Sequence, residues 1–210
     1  MGENQSEKLA VILIHGLASN RLFMSKLSRS IQNSGFEVCN WGYRSTRKTI
    51  GFHASQFQRL LEQFDRRQDL SGYHIVAHSM GNIVTRRCLA EYHPSGLRRI
   101  VMLCPPNHGS HVARRVAPWV RPLIPTMSEL TDNRDSMVNQ LDSSALANFE
   151  VGLITADNDL VVHPESADLP QVDHRTTVPG MHVGMLFSNQ TCARVLEFLK
   201  HGEFLDASNA

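Results

Sequence analysis

The sequence has almost no excess charge of either sign, because 21 Lys and Arg residues face 20 Asp and Glu residues, for a formal net charge of +1. No overall field would therefore attract nucleic acid or an anionic membrane, and we expect neither as a partner. A long apolar run is also missing. The polar segment 1–8 is followed by an apolar run that ends before His15, too short for a signal sequence or a membrane span. We expect a cytoplasmic protein without a stable membrane anchor, although an already removed leader stays open as an alternative.

Cysteine is scarce, and metal-binding motifs are missing. The four cysteines are scattered and form no C-x-x-C pair; they are Cys39, Cys88, Cys104 and Cys192. Free thiols buried in apolar segments are the simplest interpretation. His108 and His111 are closely spaced, but no carboxylate or thiolate is suitably placed to complete a metal site with them. The sequence gives no reason to expect a metal or another cofactor.

The organisation of the chain favours one α/β domain. Its 210 residues are 41% hydrophobic, enough for a sizeable core. Short apolar runs alternate with segments of helical periodicity, which is typical of a parallel sheet covered by helices on both faces. The predicted strands are Leu9–Ile14, Phe36–Trp41, Tyr73–Ala77, Arg99–Cys104, Val151–Thr155 and His174–Val178. The predicted helices lie at Arg21–Asn33, Phe52–Phe64, Ile83–Tyr92 and Ser188–Lys200.

We place the domain at residues 9–201, between tails at 1–8 and 202–210. The stretch 110–150 is long for a connection between strands, so we expect it to carry helices and part of a substrate pocket. Its apolar residues either line an acyl pocket or pack a short helix onto the sheet; they are Trp119, Val120, Leu123, Ile124 and Met127.

A short motif marks the junction between the third strand and the next helix: Ala77-His78-Ser79-Met80-Gly81. Small residues at its ends allow a very tight turn that projects a serine hydroxyl from the carboxyl edge of the sheet. Ser79 is therefore a candidate nucleophile, although Ala77 departs by one methyl group from the G-x-S-x-G pattern. The alternative is an ordinary serine N-cap before the helix.

A hydrolase that uses Ser79 also needs donors for an oxyanion, an acid and a histidine. His15-Gly16-Leu17 ends the first strand, so the backbone N–H groups of Leu17 and Met80 are candidate oxyanion donors. Without Ser79, an ordinary strand-end turn would explain that loop better.

The candidate acid and histidine follow Ser79 in chain order. Asp159 lies after the fifth strand, and His182 lies after the sixth, where the fold requires them. His163 and His174 fit less well, because one lies beyond the acid and the other begins a strand at the opposite edge. Asp157 is the alternative acid, although a turn in which its side chain bonds a backbone N–H two residues on explains it better.

Together these segments resemble the α/β-hydrolase superfamily and, within it, the small lidless bacterial lipases. The segments that match are His15-Gly16-Leu17, Ala77 to Gly81, Pro106 to Ser110, Asp159 to Val162, and Gly180 to Gly184. The resemblance implies a single α/β-hydrolase domain with about six parallel strands, helices on both faces and no large lid. It implies Ser79 as nucleophile, His182 as general base and acid, Asp159 as the orienting acid, and Leu17 and Met80 as the oxyanion hole.

The activity implied is cleavage of a carboxylic ester through an acyl-enzyme, without a cofactor, on a small-molecule substrate. Thioester hydrolysis or acyl transfer by the same residues stays open, as does a non-catalytic binding protein of the same fold. Arg44, Arg47 and Lys48 follow the second strand, at the same edge as Ser79. They either favour anionic acyl donors or form a solvated loop.

Overall fold

A computed structural model describes residues 7–120, 124, 126–133, 135–142 and 144–205, without the side chains of 116–120 and 128. The described strands form one parallel sheet of six, in the order β2-β1-β3-β4-β5-β6. The strands are β1 Leu9–Ile14, β2 Glu37–Trp41, β3 Gly72–His78, β4 Leu97–Leu103, β5 Glu150–Ala156 and β6 His174–Val178. The predicted fold class is confirmed.

Longer helices connect the strands and cover both faces of the sheet. They are α1 Ser25–Asn33, α2 Ile50–Asp65, α3 Met80–Leu89, α4 His111–Val120 and α8 Asn189–His201, with short helices α5 Thr126–Glu129, α6 Met137–Gln140 and α7 Pro164–Ala167. A 3-10 turn at Arg21–Met24 precedes α1, in place of the single helix that the sequence predicts there. Further 3-10 turns lie at Ser144–Asn148 and Gly184–Phe187. The stretch 110–150 therefore carries helices, as predicted.

Strand β1 shows how the sheet separates two cores. All its side chains except that of Leu9 are fully buried, and they alternate between the faces, so that Ile12 packs with α2 and α3 while Leu13 packs with α1 and α8. This burial on both faces explains why the strand is a continuous apolar run without polar alternation. Strand β2, at the sheet edge, is only half-buried throughout.

The four cysteines are free, and three of them are buried as predicted. Cys39 is the exception, because it lies in the edge strand β2 and remains half-buried. Helix α8 ends at His201, and Phe204 beyond it still packs against Phe198. No helix in the described part of the chain combines the length and apolar character needed to cross a membrane.

Some of the apolar residues in 110–150 that either line an acyl pocket or pack a short helix fall outside the described residues. The side chains of Trp119 and Val120 lie outside them, as does the whole of Leu123. Met127 packs against the core cluster on the α2 and α3 face of the sheet. For Met127, packing onto the domain is therefore the interpretation that the structure supports.

Candidate active site

Ser79 lies between β3 and α3 in a strained turn. Its backbone has φ 52° and ψ −125°, a region that residues with a side chain rarely occupy. Flanking bonds hold the turn: the Ser79 N–H donates to the Leu103 carbonyl at 2.9 Å, and the Asn82 N–H donates to the Ser79 carbonyl at 3.0 Å. The Asn82 side-chain amide donates to both of these carbonyls. The turn therefore presents the hydroxyl at the carboxyl edge of the sheet. Strained backbone of this kind is commonly found at functional sites.

Two glycines allow neighbouring backbone to approach this turn. A Cβ on Gly81 would lie 2.7 Å from the Ile14 carbonyl oxygen, and a Cβ on Gly16 would lie 2.9 Å from the Ser79 Cβ. Real Cβ atoms essentially never come so close, so an alanine at either position would displace backbone or Ser79. These contacts give the physical reason for glycine at the last position of the motif, while the first position accepts the buried Ala77.

We expect Gly81→Ala to lower the free energy of unfolding by about 1–3 kcal/mol, because the added methyl group meets rigid backbone. Gly51→Ala is the matched control, since a Cβ there has no neighbour within 4 Å and Gly51 lies in α2. That control should gain about 0.5–1 kcal/mol from its better helix propensity. Urea unfolding of both variants measures the difference, and equal midpoints would contradict the close approach at Gly81.

His182 follows β6 and bridges the two other candidate residues. Its Nε2 lies 2.9 Å from Ser79 Oγ, and its Nδ1 lies 2.6 Å from Asp159 Oδ2. The His182 residue is only 7% exposed, so water competes little for these bonds. With the proton on Nδ1, donated to the carboxylate, Nε2 is free to accept the Ser79 hydroxyl proton.

Asp159 is held by its own loop. Its Oδ1 accepts the N–H groups of Val161 at 2.8 Å and Val162 at 2.9 Å, which leaves Oδ2 for His182. Burial alone would raise the pKa of Asp159, but the hydrogen bond and charge of His182 and these two N–H groups outweigh burial and lower it. The Ser110 hydroxyl donates to the Val161 carbonyl at 2.7 Å and ties the loop to the segment after β4.

Asp157 lies elsewhere and has other partners. It is exposed, and its Oδ1 accepts the Gly180 N–H at 2.9 Å and the Asn158 side-chain amide at 2.8 Å. The turn bond to a backbone N–H two residues on, which the sequence predicts for Asp157, is made instead by Asp159 to Val161. Asp157 thus connects the loop of the acid to the loop of the histidine.

The candidate oxyanion donors lie on the two segments that meet at Gly16 and Ser79. Met80 is the first residue of α3, so its N–H has no carbonyl partner within the helix and lies at the positive end of the helix dipole. Leu17 follows Gly16 in the loop after β1 and is half-buried. Tyr43 braces this loop from the other side, because its hydroxyl donates to the His15 carbonyl at 2.7 Å and its ring stacks on His15.

The sequence assigns no role at the site to two of its neighbours, His78 and Cys104. His78 Nε2 lies 2.9 Å from the His182 carbonyl oxygen, and burial lowers the pKa of His78 to about 3, so its ring is neutral and donates this bond. Cys104, with a strained φ of 42°, has its thiol beside Asp159. Because Cys104 directly follows β4, the sequence could have placed it at the carboxyl edge of the sheet. The contact of His78 could not have been found in this way, because its partner His182 lies 104 residues further along the chain.

Among the described residues, one group of side chains is close enough to hold a metal ion. Ligand atoms of Cys104, Asp159 and His182 lie within 4.8 Å of one another. Burial and then the neighbouring Asp159 carboxylate raise the pKa of the Cys104 thiol, so it stays protonated and is a poor ligand. Asp159 and His182 already bond each other. The chemistry that this arrangement suits is proton transfer from the Ser79 hydroxyl.

Comparison with known protein families supports the fold of the chain. A family model described as "alpha/beta hydrolase fold" matches residues 10–184. No curated protein matches the chain in sequence.

Several solved structures share the fold at low sequence identity. Lipase B of Aspergillus fumigatus has a TM-score of 0.77 and 18% identity, over 99% of this chain and 56% of that one. The mature Bacillus licheniformis lipase BlEst2 has a TM-score of 0.71 and 14% identity, over 96% of this chain and 95% of that one. The phospholipase PlaB of Legionella pneumophila, in complex with thio-NAD, has a TM-score of 0.61 and 17% identity over 77% of this chain. The match spans 44% of PlaB, less than half its length.

Proposed function

The chain belongs to the α/β-hydrolase fold family, and from this premise we propose that it is a serine hydrolase that cleaves carboxylic esters. One observation supports the proposal most strongly: hydrogen bonds join Ser79 Oγ to the His182 ring at 2.9 Å and that ring to Asp159 at 2.6 Å. Lipases of similar fold make an ester the first substrate class to test. This is the activity that the sequence predicts.

In the proposed mechanism, Ser79 Oγ attacks the ester carbonyl while His182 Nε2 takes the hydroxyl proton. Asp159 holds the Nδ1 tautomer and stabilises the imidazolium that forms. The N–H groups of Leu17 and Met80 bind the oxyanion of the tetrahedral intermediate. His182 then gives its proton to the leaving alcohol, and water cleaves the acyl-Ser79 ester with the same histidine as base. No step requires a metal or another cofactor.

The position of Ser79 in a strained turn supports a nucleophile rather than an ordinary N-cap serine. An ordinary N-cap serine has an extended backbone, and its side chain accepts a hydrogen bond from the first helical turn. Ser79 has a positive φ and makes no such capping bond. Its hydroxyl instead faces His182. The cytoplasmic location expected from the sequence stays a prediction.

We expect the native protein to hydrolyse p-nitrophenyl esters, with the highest kcat/KM for short and medium acyl chains and no increase when the substrate forms an interface. The reason is that the described part of the β4 to β5 connection consists of the ten-residue α4, two four-residue helices and a 3-10 turn, and residues of these elements pack in the core. A panel of p-nitrophenyl esters and acyl-CoAs of increasing length measures this preference. Cleavage of acyl-CoAs without any ester turnover would identify a thioesterase instead, and strong activation by emulsified triglyceride would contradict the expected chain length.

A further inference from the structure

A cavity of about 590 Å³ is formed by the end of β2, the loop that follows it and the first turns of α2. Three cationic side chains line it, from Arg44, Arg47 and Lys48, together with the aromatic rings of Trp41, Tyr43 and Phe52. No acidic residue is among the described residues that line it. It therefore combines positive charge with flat apolar surfaces, as sites for organic anions do.

The charges of the three cations are not neutralised by described carboxylates, although Lys48 Nζ lies over the Phe52 ring, 5.4 Å from its centroid. None of them forms an ion pair with a residue that the structure describes. Arg67, by contrast, pairs with Glu37 and Asp69 at the opposite edge of the sheet. Glu129 approaches the same segment, but its carboxylate accepts the Ile50 N–H at 2.8 Å, at the start of α2.

A buried histidine supplies an independent sign of a ligand. His53 lines the cavity and is only 2% exposed, and its Nε2 has no hydrogen-bond partner among the described residues. A buried polar atom without a partner costs free energy, so such atoms are rare unless a ligand or water satisfies them. Burial, and then the charge of His15, lower the pKa of His53, which as a neutral ring can donate an Nε2–H to an anion.

Direct contacts link the cavity to the candidate active site. Tyr43 forms part of the cavity wall and bonds the His15 carbonyl through its hydroxyl, at 2.7 Å. Gly16 follows His15 and lies against Ser79. The cavity wall and Ser79 therefore both contact the loop that follows β1.

We propose that this cavity binds an anionic group of the ester substrate, a carboxylate or a phosphate, and so makes the protein selective for anionic esters. The inference rests on the proposed function, because it assigns the substrate class of the same site. The cations supply the charge, and His53 in the cavity wall supplies one further hydrogen bond.

The test compares two substrates that differ in charge but share chain length and leaving group: p-nitrophenyl hexanoate and p-nitrophenyl hydrogen adipate. The quantity measured is the ratio of kcat/KM for the anionic ester to that for the neutral ester. It is measured in the native protein and in a triple variant with Arg44→Gln, Arg47→Gln and Lys48→Gln. Arg59→Gln is the matched control, because Arg59 is an exposed cation of α2 outside the cavity.

We expect the triple variant to lower this ratio about tenfold, because three exposed charges each contribute little in water. The control should change it less than twofold. Raising the ionic strength from about 0.01 M to about 1 M shortens the Debye length from about 30 Å to about 3 Å, and should lower the ratio in the native protein but not in the triple variant. An equal ratio in the native protein and the triple variant at low salt would overturn the proposal.

Binding without turnover separates this inference from the proposed function. In the Ser79→Ala protein, Trp41 in the cavity wall reports ligand binding by its fluorescence. Titration with the adipate ester, with glycerol 3-phosphate and with inorganic phosphate tests the anion directly, and the last two distinguish an organic phosphate from the free ion. Saturable quenching by any of them that the triple variant weakens about tenfold supports the site, even if the native protein cleaves no ester. Quenching that the triple variant leaves unchanged, or no quenching by any of them, rejects it.

Discussion

Ser79→Ala is expected to lower kcat on p-nitrophenyl esters by about 10⁴- to 10⁶-fold while the fold remains intact. The change removes only the hydroxyl, whose partner is His182 at 2.9 Å. The turn itself is held by backbone and Asn82 bonds that alanine keeps. Steady-state kinetics measure the loss, and thermal unfolding of the same sample checks that the protein is folded.

His182→Ala should lower kcat by a similar factor. Combined with Ser79→Ala, it tests whether the two residues act independently. Residues that act as one unit give losses that do not add, so the double variant should be about as slow as the slower single variant. A double variant that is slower by the product of the two single losses would mean that Ser79 and His182 act separately. Residual activity of Ser79→Ala near that of the native protein would reject Ser79 as the nucleophile.

Asp159→Asn is expected to lower kcat by roughly 10²- to 10⁴-fold. An asparagine keeps the shape of the side chain, but its amide favours the His182 tautomer whose Nε2 carries the proton and cannot accept the one from Ser79. The two N–H groups of Val161 and Val162 can still bond the amide oxygen, so the loop should keep its conformation. Kinetics of the folded variant at one pH measure the effect.

Asp157→Asn is the matched control, because it makes the same chemical change two residues earlier. Its Oδ1 accepts the Gly180 N–H and does not contact the His182 ring in the described structure. We expect a loss of roughly tenfold or less, equivalent to at most about 1.4 kcal/mol. A larger loss for Asp157→Asn than for Asp159→Asn would transfer the role of the acid to Asp157.

The sheet was predictable because most of its strands are short apolar runs in the sequence. Strand β1 has the predicted bounds, since a fully buried parallel strand is a short apolar run that a histidine and a glycine end. Strand β2 shows the limit of such patterns. Its own residues do not indicate that it lies at the edge of the sheet, where Cys39 remains half-buried. The Arg21–Met24 turn was likewise hidden, because a 3-10 turn and an α-helix share similar apolar spacing over four residues.

The candidate site was predictable as far as strand ends determine it. Ser79, Asp159 and His182 follow β3, β5 and β6, and in a parallel sheet these ends meet at one edge. Contacts between distant side chains were not predictable in the same way. The bonds from Tyr43 to His15 and from His78 to the His182 carbonyl depend on how the loops pack, which no periodicity in the sequence encodes.

The central claim is that His182 activates Ser79, and labelling with a fluorophosphonate probe tests it most directly. Such a probe forms a stable bond only with a serine oxygen that a neighbouring base has made nucleophilic. We expect the native protein to gain one adduct, which peptide mass spectrometry locates on Ser79, whereas Ser79→Ala gains none and His182→Ala reacts far more slowly. A folded native protein that stays unlabelled, or one that carries the label on another residue, would contradict the account.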